Sequence, residues 1–302
     1  MKVLNQASGQ NWSLYNGDSC EVLAGIPSDS IHYCITSIPF ASLYTYSNSD
    51  RDMGNSRTYE EFAEHYKFLG AEWFRVMMPG RLVSIHCMNL PTSKERDGFI
   101  GIRDFRGDVI RWMQSLGFIY HSEVCIWKNP VTAMQRTKAL GLLWKTIKKD
   151  SAMSRQGIPD FVCTFRKPGI NPEPLNHAPE EYPVDHWQQV ASPVWDEYAA
   201  PVWWDINQSA TLQRKSARSE KDERHICPLQ LPVIERCVEL WSKKGEIVLD
   251  PFDGIGSTGY QALKMGRRHV GVELKESYFQ QAAQNLAAAE AEYLGEKVPE
   301  GE

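Results

Sequence analysis

The chain has 302 residues, 42% of them hydrophobic, and a formal net charge of −5, which suits one large domain with an insertion and excludes a uniformly basic nucleic-acid coat, though not local basic patches. No stretch approaches the roughly 20 apolar residues of a bilayer span, and the opening MKVLNQASGQNW lacks the apolar core of a secretory signal. Seven scattered cysteines fit reduced thiols better than a disulfide frame or a zinc site, so a cytoplasmic protein without a metal is expected.

In chain order, WSLYNGDS predicts a short strand, CEVLAGIP a turn or two of helix, and DSIHYCITSIPF an apolar strand that runs into a loop. Tyr59 to Met78 has helical periodicity, with Pro79 and Gly80 as the predicted stop. GRLVSIHC reads as a strand, DFRGDVIRWMQSLG as a helix, and FIYHSEVCIWKN and DFVCTFRKPG as further strands. The C-terminal part gives a helix (PLQLPVIERCVELWS), a strand (GEIVLDPF), a helix (STGYQALKMG), a strand (RHVGVEL) and a last helix from Glu276. Alternation of this kind predicts an α/β fold, a mostly parallel sheet with helices on both faces.

Charge and composition mark the interruption. Val131 to Ile158 holds six basic residues, Arg136, Lys138, Lys145, Lys148, Lys149 and Arg155, against the single acid Asp150. Ile170 to Asp205 reverses this: six prolines, several acids and Trp187, Trp195, Trp203 and Trp204, without Lys or Arg, which predicts loop and short turns. QRKSARSEKDER, residues 213–224, reads as a solvated arm.

DPFDGIGSTGY, residues 250–260, follows a predicted strand and opens a helix. Gly254 and Gly256 let the backbone approach a ligand closely, and the helix start presents unpaired N–H groups. About twenty residues on, Glu273 ends the next strand, where a carboxylate can accept from both hydroxyls of a ribose. A nucleoside cofactor is expected; the alternative is a tight strand-to-helix turn without a ligand.

The F-x-G-x-G spacing after Asp-Pro resembles the loop that holds S-adenosylmethionine in class I methyltransferases. TSIPF, residues 36–40, resembles the S-P-P-F or D-P-P-Y tetrad of DNA amino-methyltransferases. NGDSCEVLAGIPSDSIHYCITSIPF, RHICPLQLPVIERCVELWS and VLDPFDGIGSTGYQALKMGRRHVGVEL stand in the order of that family's β group, catalytic half first and cofactor half last. This resemblance implies a circularly permuted, seven-stranded, Rossmann-like methyltransferase sheet. Its expected parts are a catalytic half (1–130), a target-recognition insertion (131–224, with a strand returning near 160–168) and a cofactor half (225–302).

The resemblance also implies site residues. Ser37 and the Ile38 carbonyl would accept the hydrogens of an exocyclic base amine, with Pro39 completing the turn and Phe40 stacking on a flipped base. Asp18 would receive the cofactor's adenine amino group and Glu273 its ribose. Asp250, Phe252, Gly254, Gly256, Ser257 and Thr258 would line the methionine side, and His225, Cys227, Pro228 and Leu229 would close over it. The alternative for Asp18 is a turn or helix cap before CEVLAG, and Cys34 reads as a buried core thiol.

Ile38 departs from the family's proline, which frees φ and predicts a loosened tetrad. Ser37 resembles the cytosine-N4 members more than the adenine-N6 ones, with adenine as the alternative base and a DNA-binding protein of little turnover as the alternative class. The implied partner is double-stranded DNA, bound by a monomer or homodimer in a bacterial or phage-infected cell. Within the insertion the basic residues would neutralise phosphates, while Gln135, Arg136 and Gln156 would read base edges.

Overall fold

The computed structural model describes residues 3–40, 53, 56, 58–131, 144–176, 197–212 and 228–295. Its strands are β1 (Asn5–Ser8), β2 (Trp12–Asn16), β3 (Ile31–Ser37), β4 (Met77–Met88), β5 (Leu90–Pro91), β6 (Ile102–Arg103), β7 (Ile119–Ile126), β8 (Asp160–Arg166), β9 (Val202–Trp203), β10 (Ile247–Asp250) and β11 (Arg268–Glu273). The helices are α1 (Ser19–Leu23), α2 (Tyr59–Val76), α3 (Lys94–Asp97), α4 (Phe105–Ser115), α5 (Trp144–Lys149), α6 (Leu231–Trp241), α7 (Ser257–Lys264) and α8 (Glu276–Leu294).

Among the described residues one sheet runs in the order β1-β2-β11-β10-β3-β4-β8-β7-β9. β2, β11, β10, β3 and β4 are mutually parallel, and β8 is antiparallel to both β4 and β7. The seven expected strands are the central ones. β1 and β9 extend the two edges: β1 comes from the opening, for which no element is predicted, and β9 is two residues of the proline-rich stretch. β10 and β11, from the end of the chain, sit between β2 and β3, from its start, so residues 1–130 and 225–302 contribute to a single layer.

Burial on both faces explains the unbroken apolar run of β3. Ile31 and Cys34 pack with Leu23 of α1, Phe62 and Trp73 of α2 and Phe105 of α4. Tyr33 and Ile35 pack on the other side with Val233 and Cys237 of α6. Leu14 of β2 joins Leu263 of α7 and Leu286 of α8. Burial pushes the Cys34 thiol well up, as suits a core residue.

One predicted boundary is corrected. α2 stops at Val76, and Met77 to Gly80, read as the helix end and its stop, already belong to β4. The turn at Asp29 and Ser30 ends the helix, because their N–H groups take the Arg75 and Val76 carbonyls. Pro79 and Gly80 fall where the β3–β4 register shifts between Ile31 and Tyr33, so they mark an irregularity within the strand.

Candidate active site

The C-terminal ends of β3, β10 and β11 open onto one cavity of about 570 Å³. Ser37, Ile38, Pro39 and Phe40 line one side of it, and Asp250, Phe252, Gly254, Ser257 and Thr258 another. Asp18, Glu273, Pro228 and Leu229 also face it. Gly256 does not line the space. It precedes α7 with φ 84°, and a Cβ there would lie 3.3 Å from Ala282 of α8, so its task is to let the loop turn beneath that helix. His225 and Cys227 lie outside the described residues.

The glycine loop is held from below by a chain of buried polar groups. Asp250 Oδ1 accepts from Thr36 Oγ1 (2.6 Å) and the Phe252 N–H (3.0 Å), and its Oδ2 accepts from Thr258 Oγ1 (2.7 Å). Asp250 therefore serves the loop as a clamp tying β3, β10 and α7 together. Burial, and after it the nearby Asp253 charge, push its carboxyl up to about 7. Asp253 faces His269 Nε2 at 3.2 Å, and the other ring nitrogen, Nδ1, donates to the Val248 carbonyl. Burial would lower His269, but the Asp253 charge and hydrogen bond, the Asp250 charge and the Val248 carbonyl together outweigh it and the imidazole is raised.

Sequence reasoning missed this pair. Its signal lay in HVGVEL: a Cβ on Gly271 would come within 2.5 Å of Asp253 Oδ2 and 2.7 Å of His269 Nε2, so the glycine makes room for both.

Asp18 caps α1, its Oδ1 accepting from the Cys20 N–H at 2.8 Å and the Glu21 N–H at 3.4 Å. The cap reading thus holds, and the same side chain borders the cavity. Glu273 Oε2 accepts from the Gly254 N–H (2.9 Å) and its Oε1 from the Lys275 N–H (2.7 Å). The carboxylate at the end of β11 is thereby fixed to the glycine turn at the end of β10.

Around the tetrad the structure departs from expectation. Ile38 is 1% exposed, packed in the core with Leu23, Phe62 and Trp73. Moreover, Pro39 already restricts the residue before it to extended geometry. Burial and Pro39 both restrain Ile38 against the loosening expected from the missing ring. Phe40 packs edge-on against Phe105 and lies against the His86 ring, at centroid distances of 6.4 and 6.3 Å.

Sequence reasoning also missed Phe68 and His65 of α2, which reach the same space; Phe68 is 70% exposed at its mouth. At the other end of the strands His32, Glu173 and Glu246 converge as metal-ligand types. There His32 Nδ1 accepts from the Ile247 N–H and Glu246 pairs with Arg81, so both are engaged within the protein.

In the basic stretch expected to form the insertion, Lys148 and Lys149 lie exposed on α5, which begins at Trp144, itself 76% exposed. Arg155 is half-buried and Gln156 exposed. Gln135, Arg136, Lys138, Trp187 and Trp195 lie outside the described residues, as does the side chain of Lys145. Trp203 is core, under Arg236, whereas Trp204 is exposed.

A model of the family N6_N4_Mtase, described as DNA methylase, matches residues 31–284. The chain belongs to this family. It is 22% identical to the type II methyltransferase M.HindIII of Haemophilus influenzae over 90% of this chain and 94% of that one. To the YubD protein of Escherichia coli K12 it is 43% identical over 65 residues, which span 29% of that protein. Among solved structures, TTHA0409 of Thermus thermophilus complexed with S-adenosyl-L-methionine is 25% identical, with TM-score 0.66 over 95% of each chain. The cytosine-N4-specific PvuII DNA methyltransferase is 15% identical, with TM-score 0.65 over 98% of each, a likeness of fold.

Proposed function

We propose that the protein transfers a methyl group from S-adenosylmethionine to the exocyclic amine of a base flipped out of double-stranded DNA, with cytosine N4 as the preferred target. The observation that carries this reading is that a single cavity brings together the tetrad, Asp18, the glycine loop and Glu273. Its volume suits a nucleoside-sized ligand.

The residues fit the cofactor. Ser257 Oγ is buried without a hydrogen-bond partner among the described residues, on a side chain that borders the cavity. The space a Cβ of Gly254 would take is open, its nearest neighbour the Phe252 carbonyl oxygen at 4.0 Å. Glu273 would accept from ribose hydroxyls and Asp18 from the adenine amine, while Phe252, Pro228 and Leu229 supply apolar wall. When bound, S-adenosylmethionine supplies a methyl group already activated by its sulfonium, and no metal is required.

The amine of a base is a poor nucleophile because its lone pair is delocalised into the ring. Ser37 Oγ and the Ile38 carbonyl accept its two hydrogens, turning the nitrogen toward tetrahedral geometry and aiming the lone pair. Phe40 offers the flipped base an apolar ring, and Phe68 stands at the entrance. A serine at the first tetrad position resembles the cytosine-N4 members of the family, which favours cytosine over adenine N6. Phosphates would be met by the basic insertion. We place the enzyme in the cytoplasm, where DNA and cofactor are both at hand.

Incubating the protein with cofactor and unmodified DNA, digesting to nucleosides and weighing the modified base decides the matter. N4-methylcytosine is expected. N6-methyladenine would move the preference to the alternative base, and absence of transfer to any DNA would leave a DNA-binding protein on this scaffold.

A further inference from the structure

β3 and β4 run parallel with Ser37 beside His86, and β8 returns antiparallel with Asp160 opposite Met88, two residues beyond His86. This register lines up four polar side chains that no sequence motif joins. Ser37 Oγ lies 3.0 Å from His86 Nδ1, His86 Nε2 lies 3.1 Å from Asp160 Oδ2, and Asp160 Oδ1 lies 2.5 Å from Lys128 Nζ. His86 and Asp160 are buried, at 6% and 1% exposure, and Lys128 leads the chain toward solvent.

Resting on the methyltransfer reading of this cavity, we propose that His86 receives, through Ser37, the proton that the target amine sheds as it is methylated, with Asp160 orienting and charge-balancing the imidazole.

Proton balance motivates the assignment. The amine nitrogen donates its lone pair to the methyl carbon, the carbon–sulfur bond breaks and its electron pair stays on sulfur. The methylated nitrogen then carries a positive charge and must lose a proton. Its two acceptors in the tetrad are a hydroxyl and an amide carbonyl, and neither keeps a proton near neutral pH. Ser37 therefore takes the amine proton only as its own passes to His86 Nδ1, and imidazolium is the resting place. The proton returns to solvent once the product leaves the cavity.

The surroundings of His86 suit that task. Burial alone would push Asp160 up, but Lys128 and His86 pull it below the usual carboxylate range, so it is an ionised acceptor. An ionised carboxylate at Nε2 fixes the proton there and leaves Nδ1 bare toward Ser37. The same logic orients histidine in other enzymes that draw a proton from a serine hydroxyl. His86 acts through Ser37, since only Ser37 borders the cavity.

The test separates the relay from the reading beneath it. Nitrogen NMR of the unliganded protein should show the His86 tautomer with Nε2 protonated and Nδ1 bare; the opposite tautomer overturns the relay whatever the activity. Histidine-to-asparagine substitution, His86→Asn, keeps a polar group near Ser37 but cannot hold the proton. Its single-turnover rate should fall about 10²- to 10⁴-fold, with cofactor affinity by calorimetry within about twofold, and Ser37→Ala/His86→Asn should be no slower than the worse single variant. A wild-type rate in His86→Asn, or losses that multiply in the double variant, overturns the proposal. Should His86→Asn not fold, Asp160→Asn serves in its place, with at least a tenfold fall expected and an unchanged rate counting against the relay. If the unaltered protein transfers no methyl group to any DNA while still binding cofactor, the methyltransfer reading has failed, and the relay falls with it.

Discussion

The N–H of Gly254 donates to Glu273 Oε2 at 2.9 Å, so the turn that ends β10 and the carboxylate that ends β11 are one unit before any ligand arrives. Glu273 accepts from the N–H groups of Gly254 and Lys275, and a carboxylate has about four lone-pair sites, so these two bonds do not bar a ribose hydroxyl. Removing the carboxylate takes away both the ligand acceptor and the brace of the turn. A hydrogen bond to a charged group contributes about 1.5 to 3 kcal/mol, so Glu273→Ala should weaken S-adenosylmethionine binding at least tenfold. Gly254→Val, at φ 58° and with its new side chain in the cavity, should do the same. Calorimetry with the cofactor, and a DNA-binding assay that should change little, make the check. Unchanged cofactor affinity in both variants would remove this loop from the site.

Ile38 sets a second expectation, opposite to what the family's proline would suggest. The side chain is buried among Leu23, Phe62 and Trp73, so Ile38→Ala should cost about 2 to 5 kcal/mol of stability. Ile38→Pro fills the site poorly and should lower the thermal midpoint by several degrees instead of raising activity. Its carbonyl acceptor remains, so transfer at low temperature should persist. A more stable Ile38→Pro protein would show that φ freedom, and not burial, governs the tetrad.

Much of this was legible because the signals were local. Glycine turns, the strand ends at Ser37 and Glu273 and the Asp18 cap are short-range patterns, and one cavity gathers them. The Ser37–His86–Asp160–Lys128 chain was not legible, because it depends on the register of β4 against β3 and β8, which apolar patterning leaves open. His269 and Asp253 escaped for a similar reason: sixteen positions apart, they meet only when α7 lies over β11, and each alone reads as an ordinary polar residue. The end of α2 was misread because Met77 and Met78 extend the apolar pattern of the helix into the strand.

The buried acids predict how stability depends on pH. Asp250 is raised from 3.8 to about 7, so its contribution is complete below about pH 4 and is lost as pH rises through 7. His269 is raised above 6.5 and acts with the same sign, its contribution complete below 6.5 and lost as pH rises through its folded value. Asp250→Asn, nearly isosteric, removes the carboxyl's share. Between pH 5 and 8 its thermal midpoint should therefore fall less with rising pH than that of the unaltered protein. Parallel curves for the two proteins would show that Asp250 is ionised throughout this range.

Charge alone carries the last expectation. α5 exposes Lys148 and Lys149 beside an exposed Trp144, and Lys145 lies on the same short helix. Each phosphate contact with duplex DNA adds a slope of about −0.9 to the dependence of log affinity on log salt. Changing Lys145, Lys148 and Lys149 together to glutamine should reduce that slope by about one to three units and weaken DNA binding more at low salt than at high salt. Cofactor affinity should not move, because neither Lys148 nor Lys149 borders the cavity. If affinity falls while the slope holds, these lysines support the insertion without touching phosphate. The recognition surface would then have to be sought in the segment from Trp187 to Trp204, where Trp204 is exposed and Trp203 is buried beneath Arg236.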